Sequence, residues 1–226
     1  MKEGLFYLAS FDIGREVIKL IALITMTIDH LGAIFYQDWI ILRLIGRLSF
    51  PLYSYLIVLG TESTRNVRNY FARLFLFALI SQVPYYLALD FEPFNSLNIF
   101  FTLSFGVLFI IFLKKPFLFW FPLLASLILN FDYSVYGIAL IGCMYLLKKD
   151  TKRGILSLIL LNVVFLPIWT TQIVMLLAVP IILLHKNGIL KIETKVNAKA
   201  AYLQPIKYLF YIYYPLHLTL LYLIKS

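Results

Sequence analysis

Residues 17–36 read VIKLIALITMTIDHLGAIFY, a run long and apolar enough to cross a bilayer that nevertheless holds Asp29 and His30 side by side. A lone segment in lipid must satisfy its own backbone hydrogen bonds, so it is expected to be helical. Ionisable groups inside such a helix are costly, and they mark function by default. Working outward, residues 42–60 read LRLIGRLSFPLYSYLIVLG and residues 210–218 read FYIYYPLHL, which adds Arg43, Arg47 and His217.

The other residues have the same character. Of 226 residues, 62% are hydrophobic, 17% aromatic and only 14% charged, with a mean hydropathy of +0.89. Soluble domains are nearer half apolar, so the chain reads as an integral membrane protein of the all-α class, a polytopic helical bundle. Apolar spans fall at about 17–36, 40–60, 70–89, 98–113, 117–131, 133–147, 154–169, 171–185 and 207–224. That predicts about nine transmembrane helices in a single domain over 1–226, with no room for a separate soluble domain. The first span lacks a small-residue cleavage site and is expected to be retained. The single cysteine, Cys143, excludes an intramolecular disulfide and reads as a small buried apolar residue. No internal repeat supports an inverted-repeat transporter.

The net charge of +9 follows from topology rather than from nucleic-acid binding. Lys2, Arg15 and Lys19 precede or open the first span; Arg65 and Arg68 follow the second, Lys114 and Lys115 the fourth, and Lys148, Lys149, Lys152 and Arg153 the sixth. Lys186, Lys191, Lys195 and Lys199 fill the stretch after the eighth, a polar linker at about 186–206. The intervening connections carry Asp38, Asp90, Glu92 and Asp132 with no Lys or Arg. By the positive-inside rule the N-terminus is cytoplasmic, the C-terminus external, and the location a bacterial-type cytoplasmic membrane crossed many times.

Depth then follows from the ~1.5 Å helical rise: His30, Arg43, Arg47 and His217 lie ~5–12 Å below the outer ends of their spans. Gln82, Asn98, Thr102 and Asn162 fall at similar or shallower depth. Arg43 and Arg47, at i and i+4, share a helix face. Asp29 and His30 point about 100° apart, so one faces a cavity while the other braces a neighbouring helix. A purely structural reading makes Asp29 the partner of an arginine, holding spans one and two together. Two histidines and two arginines at one level favour a wet functional cavity. Pro51, Pro84, Pro167, Pro180 and Pro215 lie within or at the ends of spans, where kinks open cavities but also occur without function.

At these residues the chain resembles the TraX family of conjugative-pilin acetylases. The resemblance rests on KLIALITMTIDH at 19–30, on LRLIGRLSFPLYSYLIVLG followed by ESTRNVRNYFARL across 42–74, on LNIFFTL at 97–103 and on FYIYYPLHL. More distantly it is similar to the acyltransferase-3 superfamily, which carries an Arg, ten residues, then a His in the first span. Here Lys19 and His30 have that spacing. Eleven residues make close to three turns, so both face one side, ~16 Å apart. Lysine keeps the charge but loses bidentate phosphate geometry.

The resemblance implies transfer of an acetyl group from cytoplasmic acetyl-CoA to an amino group on an exported peptide or surface acceptor. The implied partners are an acyl-CoA donor, that acceptor and membrane lipid, with no metal and no nucleic acid. It implies His30 as base, Asp29 tuning it, Arg43 and Arg47 stabilising charge on the carbonyl oxygen, and His217 orienting the acceptor or relaying its proton. Direct transfer and an acetyl-histidine route both stay open. Lys19, Arg65, Arg68 and Arg73 are candidates to meet the donor phosphates, beside their role as topology determinants, and Gln82, Asn98 and Thr102 to meet substrate. The alternatives are a small transporter or flippase, or a non-catalytic assembly subunit.

Overall fold

Asp12 opens the first long helix, its Oδ1 accepting the Arg15 amide at 3.1 Å. Asn66, Asn98 and Asp150 cap three later helices in the same way, each such cap being worth about 1 kcal/mol. The computed structural model describes residues 9–93, 95–168, 170–190, 193–196 and 204–226. In chain order they form β1 (Ala9–Asp12), α1 (Ile13–Ile34), α2 (Ile40–Gly46), α3 (Ser49–Ser63), α4 (Val67–Leu89), α5 (Ile99–Phe112) and α6 (Trp120–Ile128). Then follow α7 (Ser134–Lys149), α8 (Thr151–Phe165), a 3₁₀ segment (Thr170–Leu177), α9 (Ala178–Lys186), β2 (Glu193–Val196) and α10 (Gln204–Lys225). Each expected span meets one element or one pair of consecutive elements.

Three of these stretches are long and apolar enough to cross a membrane: Ile13–Ile34, Ile40–Ser63 and Val67–Leu89. Three of the expected spans depart from a uniform helix. The span expected at 117–131 forms helix only over α6, ~14 Å of rise, less than half a bilayer core. The eighth starts as a 3₁₀ helix, whose longer rise carries Thr170–Lys186 over ~30 Å in spite of its few residues. The second breaks at Arg47–Leu48 because Pro51 has no N–H to give the Arg47 carbonyl, so α3 starts afresh at Ser49. Two short strands were not anticipated: β1 and β2 pair antiparallel, Ala9 opposite Val196 and Asp12 opposite Glu193, so the stretch read as a plain linker at about 186–206 contributes β2 to a pair with the segment before α1. Lys2, Lys191 and Lys199 lie outside the described residues.

The core is apolar, and so is the exterior. Ile18 and Ala22 of α1 are fully buried, as are Leu52 and Val58 of α3 and Leu140, Ile141, Met144 and Leu147 of α7. On the opposite faces Leu20 and Ile24 of α1, Leu76 and Leu79 of α4, Val163 and Val164 of α8, and Leu220 and Leu223 of α10 are exposed. In water so much exposed hydrocarbon would aggregate; in lipid it costs nothing. Cys143 is only partly buried on α7, short of the full burial expected.

Contacts between connections sort into two ends. At one, Arg15 donates to Ser63, Lys148 and Lys149 pair with Glu62, and Lys186 donates to the Leu147 carbonyl and the Thr151 hydroxyl. At the other, Lys225 pairs with Asp90, Leu97 pairs with Phe131, and Thr102 donates to the Asp132 carbonyl. These are the basic end and the acidic end that the charge pattern separates.

Candidate active site

The α1 helix turns Asp29 and His30 to different neighbours. Asp29 faces α2, where Arg43 Nη1 donates to Oδ2 at 2.8 Å and to the Asp29 carbonyl at 3.1 Å. Asp29 Oδ1 is buried without a hydrogen-bond partner. It packs on Gly46, where a Cβ would collide with the carboxyl group. His30 faces α10, its Nδ1 2.8 Å from His217 Nε2. His217 Nδ1 lies 2.8 Å from the Tyr213 carbonyl, and the Tyr213 ring lies over His217 with centroids 4.9 Å apart and planes 10° apart. Tyr213 in turn bonds Thr27 through their hydroxyls at 2.8 Å. The two histidines, 187 residues apart in sequence, thus form one contact between α1 and α10.

The arginines part company. Arg43 is taken up by Asp29, whereas Arg47, at the end of α2, donates from Nη1 to the Tyr133 hydroxyl at 3.1 Å and keeps a buried Nε without a partner. Tyr133 and Ser134 both have positive φ, 62° and 43°, a backbone strain that non-glycine residues adopt rarely. Beside them, burial pushes the Asp132 carboxyl up to about 6, helped by the Asp29 charge and opposed by Arg47.

The four amide and hydroxyl candidates are occupied by the protein itself. Gln82 Nε2 donates to the Ser96 carbonyl at 2.8 Å, and its Oε1 accepts from Asn98. Asn98 also donates to the Ala78 carbonyl and caps α5. Thr102 is bonded to the Asp132 carbonyl, and Asn162 accepts from Tyr136 and donates to the Leu158 carbonyl. Their polar atoms hold α4, α5, α7 and α8 together, and Gln82, Asn98 and Thr102 spend these bonds on the protein itself.

A cavity of about 460 Å³ runs among α1, α3, α4, α5 and α10. Its mouth is at the basic end, lined by Arg15, Lys19 and Arg73 together with the carboxylates of Asp12 and Glu16, and it reaches inward to Met26 and Tyr214. The Tyr214 ring lies 6.0 Å from His30 and 5.6 Å from His217, so one aromatic ring separates the cavity from the histidine pair. Arg15 Nε and Arg73 Nε are buried at the mouth without partners. Lys19 is paired with Glu16 at 2.7 Å and lies over the Phe210 ring. Arg65 is exposed on the turn after α3 and does not line this cavity.

The model of a family described as TraX protein matches residues 14–225. The chain belongs to the TraX protein family. Among TraX-like relatives, a probable fimbrial assembly protein, FimC of serogroup H1, from Dichelobacter nodosus is 33% identical over 101 residues, 43% of this chain and 41% of that protein. The protein TraX of Escherichia coli is 36% identical over 77 residues, 33% of this chain and 30% of that protein. An uncharacterized protein of Rickettsia prowazekii is 26% identical over 101 residues, 45% and 38% of the two chains. The matches thus span about two fifths or less of the length of these curated relatives. No solved structure matches. Apolar helices and TraX membership together are those of a membrane protein.

Arg15 and His185 are residues whose positions the sequence did not single out. Arg15 reads as one more topology charge, yet it lines the cavity. His185 is buried, its Nδ1 3.1 Å from the Tyr55 hydroxyl and its Nε2 3.1 Å from Asp12 Oδ2, tying α9 to α3 and to the start of α1. Tyr213 and Tyr214 precede His217 by four and three residues, a helical spacing that does mark a shared face.

Proposed function

We propose that this protein is an integral membrane N-acetyltransferase, crossing the membrane nine times from a cytoplasmic N-terminus. It would move acetyl from cytoplasmic acetyl-CoA to an amino group of an exported peptide or surface acceptor, pilin-like in kind. The observation that carries this reading is the cavity: basic at its mouth, apolar along its length, and ending on the ring that touches both His30 and His217. The printed names of two relatives, one a fimbrial assembly protein and one TraX, support a pilus or fimbrial setting.

The residues fit the donor. Two unpartnered arginine Nε groups at the mouth are charge-assisted donors suited to phosphate, and a cavity of this volume lies within the usual range for small-molecule sites. In the reaction the amine nitrogen forms a bond to the thioester carbonyl carbon, the carbon–sulfur bond breaks, and amide and free thiol leave. His30 takes the proton that the amine loses and returns it to the thiolate. Arg47 keeps a spare Nε for charge on the carbonyl oxygen, whereas Arg43 is committed to Asp29; neither lines the cavity itself.

The test begins with purified protein in detergent. Acetyl-CoA and CoA raise the melting temperature through binding linkage, and Arg73→Ala weakens that shift. The protein then acetylates an amine acceptor, and His30→Ala keeps the thermal shift but loses turnover. Absence of any shift for a folded protein at saturating ligand overturns the reading, and coupled flux in proteoliposomes without acetyl transfer would make the protein a transporter.

A further inference from the structure

The hydrogen bonds around His217 fix where the protons sit. The Tyr213 carbonyl oxygen can only accept, so His217 Nδ1, 2.8 Å away, carries a hydrogen. A neutral His217 then has its lone pair on Nε2. That atom lies 2.8 Å from His30 Nδ1, which must therefore be the donor. The ring planes are 25° apart with centroids at 5.0 Å, an edge-to-edge alignment that aims the N–H of one ring at the lone pair of the other. A neutral His30 protonated on Nδ1 has its lone pair on Nε2.

The ring of His217 is also held against rotation. Thr27 donates to the Leu23 carbonyl at 2.9 Å, so its oxygen accepts from the Tyr213 phenol at 2.8 Å. That bond pins the Tyr213 ring, which covers one face of His217. Tyr214 packs at an angle to both histidines. The opposite assignment needs a second proton on His217 and hence a cation among apolar helices, where charge is costly without a partner. The nearby carboxylate, Asp29, is turned to Arg43.

We infer that His217 is a positioning residue: held by the Tyr213 carbonyl and the Tyr213–Thr27 clamp, it locks His30 in the Nδ1–H tautomer and presents His30 Nε2 as the proton-accepting atom. This narrows the role of His217 from orienting the acceptor to orienting the base. The identity of the proton, that of an acceptor amine, rests on the acetyltransferase reading; the tautomer does not.

Nitrogen-15 NMR of untagged, histidine-labelled protein tests it without any substrate, because protonated and unprotonated ring nitrogens have distinct shifts. His30→Gln, His217→Gln and His185→Gln assign the three rings. Both His30 and His217 are expected to be protonated on Nδ1 and bare on Nε2, against the usual preference of free imidazole. His217→Ala releases His30 to the Nε2–H form, whereas His217→Gln, whose amide oxygen can accept from His30 Nδ1, preserves the wild-type tautomer. In acetyl transfer, His217→Ala lowers kcat by about 100-fold with the donor KM unchanged, and His217→Gln recovers most of it. A proton on His30 Nε2 in the wild type, a doubly protonated ring, or a His30 tautomer indifferent to His217→Ala overturns the inference. The expected tautomers in a protein with no acetyl transfer would sink the enzyme reading alone.

Discussion

Successive residues on a helix diverge by about 100°, so Asp29 and His30 reach different helices, and substitutions at the two sites are expected to fail differently. Gly46 is the test on the Asp29 side. A methyl group there collides with the Asp29 carboxyl, and overpacking of this kind costs about 1–3 kcal/mol. Gly46→Ala should therefore lower the melting temperature in the wild type but much less in an Asp29→Ala background, and equal losses in both would show that the contact is not the cause. On the His30 side the loss is chemical: His30→Gln should leave the melting temperature nearly unchanged and cut turnover by ~10²–10⁴. Asp132 adds a pH dependence. Its folded-state value lies above the ordinary 3.8, at about 6, so the protein binds that proton more tightly than the unfolded chain does. The stabilisation is full at low pH and is lost as pH rises through the folded value. Asp132→Asn should gain on the wild type in melting temperature between those two values, and a constant difference across that range would refute the raised value.

At the scale of elements, what sequence could reveal depended on whether a signal is local. Helix existence was legible because lipid imposes it, and the starts of α1, α4, α5 and α8 coincide with Asp or Asn caps that can be read directly. Rise per residue fixes height but not azimuth, so the sequence set His30, His217, Arg43 and Arg47 at one level without showing that the histidines meet while Arg43 turns to Asp29 and Arg47 to Tyr133. Which helix Gln82, Asn98 and Thr102 each face was likewise hidden, because it is decided by packing between elements distant in sequence. The same limit hid His185, whose partners lie 130 and 173 residues away. That buried bridge makes a prediction of its own. Asp12 serves α1 twice, as cap and as partner of His185. Asp12→Ala should lower the melting temperature by more than the ~1 kcal/mol equivalent of a lost cap. His185→Ala should cost less in the Asp12→Ala background than in the wild type, the remainder being its bond to Tyr55 and its packing, and full additivity would rule out the coupling.

At the scale of the whole molecule, the two-ended sorting of contacts and the alternation of charge describe the same axis from independent observations. Lys148 and Glu62 meet at one end, Lys225 and Asp90 at the other. With a single native cysteine, a Cys143→Ala background is a clean host for topology mapping. Cysteines placed at Asp38, Glu92 and Ser226 should react with an impermeant maleimide on intact cells. Those at Arg65, Lys115 and Lys152 should react only once the membrane is opened. The short α6, too brief to cross by itself, makes the pair Lys115 and Asn130 decisive. Lys115 protected and Asn130 labelled means that the turns flanking α6 complete the crossing and the count stays odd. Both protected, with Ser226 protected as well, would remove one crossing and put the C-terminus inside. The outer half of the molecule would then begin at a different helix, and the histidine pair could no longer be approached by a donor from one side and an acceptor from the other.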